Sequence, residues 1–361
     1  MKSHHRNWQL ALLVAASCAS GCRCRGAKAP KGATSDVASA NDDVPAAAPP
    51  SEQLAIASAG QALTHVTTDP IDEYGPVLSP DGTSLLFTTR IWEQGTDPAS
   101  GNQVFTGNMA QQAIVGGSPG GGSGRTIYTS AKSQNGSPSW LPSGNAFVYV
   151  SNGMGSWNLV RSLSRSPNAG VAVVVRGDIA PGIAQPKVSP DGKRVAFQMT
   201  VSDTTYVGVA NMDGTSFTQL TEGTRPSWSP DGSKLTFVRR VGTEWQVFTA
   251  DSKTGDELTQ VTNVDAQSDA PSYSPNGEYL VFCSNMGWNK FPSGSADHTY
   301  NLYAIKVDGT SLTQITDGAR DTCVPFWGSD GWIYFESNEA GNYDIWRLQP
   351  QGELSEATKG R

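Results

Sequence analysis

The residues able to do covalent or metal chemistry are few. Of four histidines, His4 and His5 stand in the extreme N-terminal stretch, and His65 and His298 are far apart in sequence. Two such residues do not make a ligand cluster, and no D-x-[DN]-x-[DN]-G calcium loop occurs. Gly116-Gly117-Ser118-Pro119-Gly120 matches the string G-x-S-x-G. A nucleophile elbow, however, needs a strand–turn–helix to strain its serine outward, and this copy lies in the glycine-rich run VGGSPGGGSG. The same run lacks the Lys-Ser/Thr pair of a phosphate-binding loop. The sequence therefore predicts no enzyme, no cofactor and no metal. What remains is a set of charged and aromatic residues suited to recognition: Glu73, Tyr74, Arg90, Trp92, Arg225, Asp269, Trp288, His298, Arg320 and Asp321.

Their positions follow from a repeated phrase. RPSWSPDGSKLTFVRR begins at Arg225, and variants begin at Gly75, Ser137, Gln185, Ala270 and Val324. In each, the Ser-Pro-Asp-Gly-like segment reads as a type I turn: Pro presets the first corner, Asp suits the second, and Gly accepts positive φ at the exit. Such a turn joins hairpin strands. Leu235 and Phe237 alternate with Lys234 and Thr236, as in a half-buried strand. The turn glycines Gly82, Gly144, Gly192, Gly232, Gly277 and Gly331 are spaced by 62, 48, 40, 45 and 54 residues. A short third strand follows (QVF at Gln103, NLV at Asn158, QVF at Gln246, NLY at Asn301, DIW at Asp344), and then a polar Thr-rich one such as LTQVT. With the strands called A to D, the spacing predicts an all-β, six-bladed propeller of four-stranded antiparallel blades.

The pattern P-x-[aromatic]-S-P-D-G-x-x-[apolar]-x-F, with L-T-Q-[apolar]-T strands between copies, resembles the WD40-like (PD40) repeat of TolB-type β-propellers. The resemblance covers about Leu63 to Thr358 and implies the fold far more than a function, because one fold hosts many roles. It extends to the propeller and not to the α/β domain that precedes it in TolB, for which the 62 residues ahead leave no room. Oligogalacturonate lyases resemble this fold too, but use a His-rich metal centre that two distant histidines do not supply. Prolyl-oligopeptidase-type enzymes pair a similar propeller with a hydrolase domain, and no such domain is expected here.

Residues 1–21 have the layout of an export signal: Lys2 and Arg6, an apolar run from Leu10 to Ala16, then small residues. ASGC, Ala19 to Cys22, resembles a bacterial lipobox, which implies lipidation at Cys22; Cys18 and an unlipidated signal are the alternatives. By the same resemblance, Arg23 after the cysteine implies the outer membrane of a Gram-negative host. Residues 22–62 are rich in Ala, Pro, Ser and Asp and read as a flexible tether before the propeller at 63–361. The chain holds 26 basic and 33 acidic residues, and six of the basic ones stand before Gly32. That balance opposes nucleic-acid binding, which needs basic stripes. Cys283 on strand B of blade five and Cys323 on strand A of blade six are expected as separate thiols, because those strands are not expected side by side; a disulfide, permitted after export, is the alternative.

Strands alternate in direction, so B–C and D–A loops share one face. That face receives two long insertions, RIWEQGTDPASGN from Arg90 and NMGWNKFPSGSADHTYN from Asn285. Long loops on a rigid scaffold concentrate binding residues. The expected site lies on blades five, six and one, walled by Trp92 and Trp288, floored by Arg320 and Asp321, and extended toward the tunnel by Arg225 and Asp269. The expected function is a monomeric, lipid-anchored scaffold in the periplasm or on the cell surface, gripping a protein or peptide partner of the cell envelope. The alternative is a carbohydrate-active enzyme, a polysaccharide lyase or glycosidase, using funnel carboxylates. Two carboxylates at acid–base distance would favour the enzyme. Two Thr-containing segments could edge the last blade, Leu63–Thr68 and Leu354–Thr358; local closure is expected, with Leu354–Thr358 pairing with Tyr343–Leu348, because a short loop costs less entropy than joining the chain ends.

Overall fold

A computed structural model describes residues 55–56, 62–96, 103–122, 124–129, 133–286, 299–317 and 320–358. The export signal, Cys22, Trp288 and His298 lie outside them, as does the tether apart from residues 55–56 and 62.

Six sheets of antiparallel blades surround a central tunnel. Blade one runs Asp72–Leu78, Leu85–Thr96, Gln103–Gly117 and Thr126–Ile127 from the inside out. Blades two to four repeat the order from Asn135 to Val175, Ala184 to Glu222 and Thr224 to Gln260. Blade five spans Ser268 to Gln314, and blade six is built on Thr322–Trp327, Ile333–Ser337 and Asp344–Leu348. The turns form as their chemistry requires. All six turn glycines have φ between 67° and 85°. Each donates its N–H three residues back, as from Gly82 to the Ser79 carbonyl at 2.9 Å and from Gly232 to that of Ser229 at 2.8 Å. In the full Ser-Pro-Asp-Gly copies the aspartate closes the turn: Asp231 Oδ1 accepts the Ser229 hydroxyl at 2.6 Å and the Ser233 N–H at 3.0 Å.

The cores lie in the seams between blades. Ala196, Val207 and Val209 of blade three pack with Trp228, Leu235, Phe237 and Phe248 of blade four. Val77, Leu86 and Ile114 of blade one pack with Trp140, Phe147 and Val160 of blade two. Indole N–H groups stitch the same seams, Trp140 to the Val77 carbonyl at 3.3 Å and Trp228 to the Lys187 carbonyl at 2.8 Å.

Three local expectations are corrected. The first is the closure of the ring. Thr64–His65, not Leu354–Thr358, forms the outer strand of blade six, with Thr64 opposite Arg347 and His65 opposite Trp346. The N-terminal segment offers more than the tail: Val66 is buried, His65 stacks on Trp346 at 4.0 Å, and its Nε2 lies 2.7 Å from Asp344. Thr67 adds a hydroxyl that accepts the Ile345 N–H at 2.8 Å. These contacts outweigh the entropy of joining the chain ends. The tail instead forms a short helix, Glu353–Glu356, whose Leu354 packs with Ala357 into the seam of blades five and six.

The second concerns the cysteines. Cys283 and Cys323 are joined in a disulfide. Strand B of each blade does lie against strand A of the next, as described below, so the two thiols meet. The third is the insertion after Arg90, which is a continuation of the hairpin rather than an open loop, with pairing carried out to Thr96 opposite Gln103. In addition, Ala55–Ile56, within the stretch read as a flexible tether, pair in parallel with Thr313–Gln314 on the edge of blade five.

The disulfide crosses a seam and closes a 40-residue separation. Replacing both cysteines with serine is expected to lower unfolding free energy by about 2–4 kcal/mol in a urea titration. An unchanged midpoint and slope would show that the seam does not depend on it.

Candidate functional site: the central tunnel and its loop-bearing mouth

Every inner strand breaks its ladder at the same place. Pairing with strand B skips the residue before the strand-A proline and the proline itself, as between Tyr74 and Val77, Thr224 and Ser227, and Cys323 and Phe326. The residues at this break are Gly75, Ser137, Gln185, Arg225, Ala270 and Val324, and all have φ between 48° and 61°. Five of them carry a Cβ in a region where L-residues are disfavoured, and for β-branched Val324 the cost is greatest. Six copies of one strained bulge thus ring the tunnel, and bulges of this kind re-aim side chains.

The tunnel opens into a cavity of about 650 Å³. Its mouth is formed by the D–A and B–C loops, represented by Pro181–Ala184, Ser202 and Asp203. Tyr74, Arg90 and Arg225 line it, together with Gln185, Lys187, Phe326 and Glu336. Of the other residues expected here, Asp269 holds Arg225 by an ion pair at 2.8 Å. Glu73 lies outside the lining: its carboxylate is fully buried and ion-paired with Arg125, which also pairs with Asp69. Burial raises its pKa to about 7, against the pull of Thr67 and Arg125. Asp321 organises the loops of blade six, accepting the Tyr300 N–H at 2.9 Å and the Tyr343 hydroxyl at 2.6 Å. Arg320 is exposed and is not part of the cavity wall. Trp92 sits in a paired strand opposite Met109, and its side chain is outside the described residues, as are Trp288 and His298.

Two residues missed in the sequence dominate the tunnel's electrostatics. Glu336 follows the strand-B phenylalanine of blade six and is buried, with Oε2 accepting the Gly75 N–H at 2.9 Å. Burial raises its pKa to about 7, opposed by that hydrogen bond and by Arg225 and Arg90. Lys187 follows the strand-A proline of blade three, where other blades place Val77, Ser139, Ser227, Ser272 and Phe326. It keeps part of its surface open to the cavity, yet its depth, with Arg225 nearby, lowers its pKa to about 8. Arg90 lies over the Tyr74 ring at 4.3 Å, and Tyr74 meets Tyr343 at 5.4 Å. Met154, Ile179, Val201, Val241 and Trp245 are exposed apolar residues on the B–C and D–A loops of blades two to four or on the strand ends beside them.

This geometry accompanies a clear sequence relationship. The family model of the TolB beta propeller domain matches residues 174–292 and 224–358. The chain belongs to the TolB β-propeller family. An uncharacterized protein of Agrobacterium fabrum is 27% identical over 221 residues, covering 57% of this chain and 67% of its own. The Tol-Pal system protein TolB of Francisella tularensis subsp. mediasiatica is 28% identical over 121 residues, 34% of this chain and 26% of that protein. The chain therefore spans about a quarter of the TolB proteins it matches. Among solved structures, a putative TolB from Agrobacterium tumefaciens superposes with a TM-score of 0.51 at 24% identity, covering 61% of this chain and 76% of that one. A puromycin-hydrolyzing peptidase from Mycobacterium tuberculosis scores 0.52 at 12% identity, covering 78% and 51%. At these identities the likeness is one of fold.

The raised carboxyl of Glu336 sets a pH dependence. A fold that prefers its protonated form gains stability that is complete below the unfolded value near 4.5 and is lost as pH rises toward 7. Glu336→Gln should remove this loss, making the variant more stable than the parent at pH 8 by up to about 2 kcal/mol. Denaturant titrations at pH 5 and pH 8 read the difference; an equal offset at both would assign Glu336 an ionised state throughout.

Proposed function

We propose that this chain is a non-catalytic, monomeric lipoprotein of the cell envelope, and that its tunnel mouth holds a protein or peptide partner. Lipidation at Cys22 anchors it, on the outer membrane of a Gram-negative host, and the segment up to residue 62 tethers the propeller. The expected wall formed by Trp92 and Trp288 belongs to this reading as the outer part of the site, with His298 among its partner-binding residues.

The observation that carries it is the charge arrangement of the cavity. Glycoside hydrolysis needs two carboxyl groups about 5–9.5 Å apart across one bond. The carboxylates lining this cavity are Glu336 on blade six and Asp203 on the exposed turn of blade three, opposite each other in the ring. Between them stand Arg90, Lys187 and Arg225. Single mixed charges set among aromatic and aliphatic walls orient a ligand and gain affinity from apolar burial. The named TolB relatives, which belong to a Tol-Pal system, support a partner in the envelope. The disulfide supports export, because such bonds persist in oxidising compartments.

A photo-crosslinking residue at Gln185 or Asp203 should capture an envelope protein in living cells, while one at Ser233, on the opposite face, should not. Capture from Ser233 alone would overturn the assignment of the face. Turnover of an oligosaccharide by the purified protein, lost in Glu336→Gln, would support the carbohydrate-active alternative instead. Cys22→Ala should release the protein from the membrane fraction; retention would sink the lipid anchor.

A further inference from the structure

Lys187 has no counterpart in the other blades. At this depth the equivalent positions are apolar or hydroxyl side chains, and a lysine in their place needs a reason. Its neighbours do not supply an acceptor. Pro186 is buried, Val188 packs on the core of blades two and three, and the charge felt most by the ammonium group is the like charge of Arg225. Arg225 is held by Asp269 at 2.8 Å, and Arg90 stands across the same cavity. Of the two acids in the lining, Glu336 is buried and already engaged by the Gly75 N–H, and Asp203 stands on the exposed B–C turn of blade three at the mouth. Three cations thus converge on a partly desolvated space in a chain of formal net charge −7. Like charges brought together out of water cost free energy that an incoming anion would offset.

The bulges suggest the form in which the anion arrives. In every blade the residue before the strand-A proline and the proline are skipped by the ladder, and the first of the two lines the cavity. Gly75, Ser137 and Ala270 give their N–H groups to side-chain acceptors. Backbone left outside the strand ladders beside the cavity suits the main chain of an extended segment. Trp157, Ile183 and Phe326 on the cavity wall suit apolar side chains next to the acidic one.

We propose that the tunnel is a carboxylate-reading site, in which Lys187 and Arg225 receive an acidic side chain or chain terminus of an extended peptide entering from the loop-bearing face. This rests on the partner-binding reading above and adds the chemistry of the partner. Because the ammonium must be charged to bind, affinity is highest below about pH 8 and falls as pH rises past the point where Lys187 loses its proton. Arginine at this position stays charged throughout and removes the fall above pH 8, where Glu336, with a pKa of about 7, is already ionised.

The test uses the full chain and two fluorescent ten-residue peptide pools of randomised apolar and small residues. One pool carries Asp or Glu at alternate positions and a free C-terminus; the other carries Asn or Gln and is amidated. Anisotropy should show the acidic pool binding at least about tenfold more tightly at pH 7, which is 1.4 kcal/mol. Lys187→Met should abolish that preference with an unchanged or higher melting temperature, since it also removes a like-charge contact. Lys187→Arg should keep it and flatten the profile between pH 8 and pH 9. Equal binding of the two pools, binding of neither, or full preference in Lys187→Met overturns the inference. If crosslinking from Gln185 still captures an envelope protein in any of those cases, the partner-binding reading stands without it; if capture fails while the acidic preference holds, the reverse is true.

Discussion

The structure depends on one contact made again and again around the ring. The residue after the strand-B aromatic, a phenylalanine in five blades and Tyr149 in blade two, reaches from each blade to strand A of the next. Thr88 accepts the Ser137 N–H at 3.1 Å, and Glu336 accepts that of Gly75 at 2.9 Å. Gln198 is hydrogen-bonded to Thr224. Cys283 fills the same slot with a covalent bond to Cys323, while Val150 and Val238 fill it with apolar bulk. One geometrical slot therefore accepts a hydrogen bond, a disulfide or a packed methyl group. A blade cannot bury its two faces alone, so each such contact both stabilises a seam and fixes the angle between neighbours. The seam between blades six and one must join distant parts of the chain, and there the contact is reinforced by the Glu73 N–H, which the Tyr343 carbonyl accepts at 2.7 Å, and by Tyr74 against Tyr343.

The same contact shapes the tunnel. It meets strand A at the bulge, where six residues are held with left-handed φ and the ladder is interrupted. Strain of this kind persists only where the surroundings over-determine it. Here the seam on one side and the rigid Pro-Asp-Gly hairpin on the other do so. The product is a ring of side chains turned inward from all blades, at a place where the scaffold has little freedom to move. Function then lies in what the ring carries: Gly75 permits the approach of Glu336, and Arg225 with Lys187 sets the sign of the field.

The architecture was legible in the sequence because its signals are local. Pro, Asp and Gly each have a backbone reason to stand in the turn, and all six glycines adopt the conformation that this reason requires. The ring closure was legible only as a choice of two strands: loop entropy favours Leu354–Thr358 over Leu63–Thr68, and the linear pattern does not show that His65 will find Asp344 across 279 residues. The disulfide was misjudged for a related reason, since the neighbour relation of strands B and A across a seam belongs to the assembled ring. Within the site, Tyr74, Arg90 and Arg225 were found because they flank the strand-A motif. Lys187 and Glu336 were missed because they lie inside the repeat, where they read as ordinary strand residues. Aligning the copies against one another exposes both, as a lysine among Val, Ser and Phe and as a glutamate among Thr, Val, Gln and Cys.

The central claim is that the loop-bearing mouth of the tunnel, and not the hairpin face, meets the partner. Lysine footprinting tests it most directly. The native protein is acetylated briefly with and without detergent-solubilised envelope extract, and each lysine is read by mass spectrometry. Lys187 lies in the tunnel, whereas Lys234 and Lys253 stand on the A–B and C–D turns of the opposite face. The account predicts that extract slows modification of Lys187 and leaves Lys234 and Lys253 unchanged. Protection of Lys234 and Lys253 with Lys187 as reactive as before would contradict it.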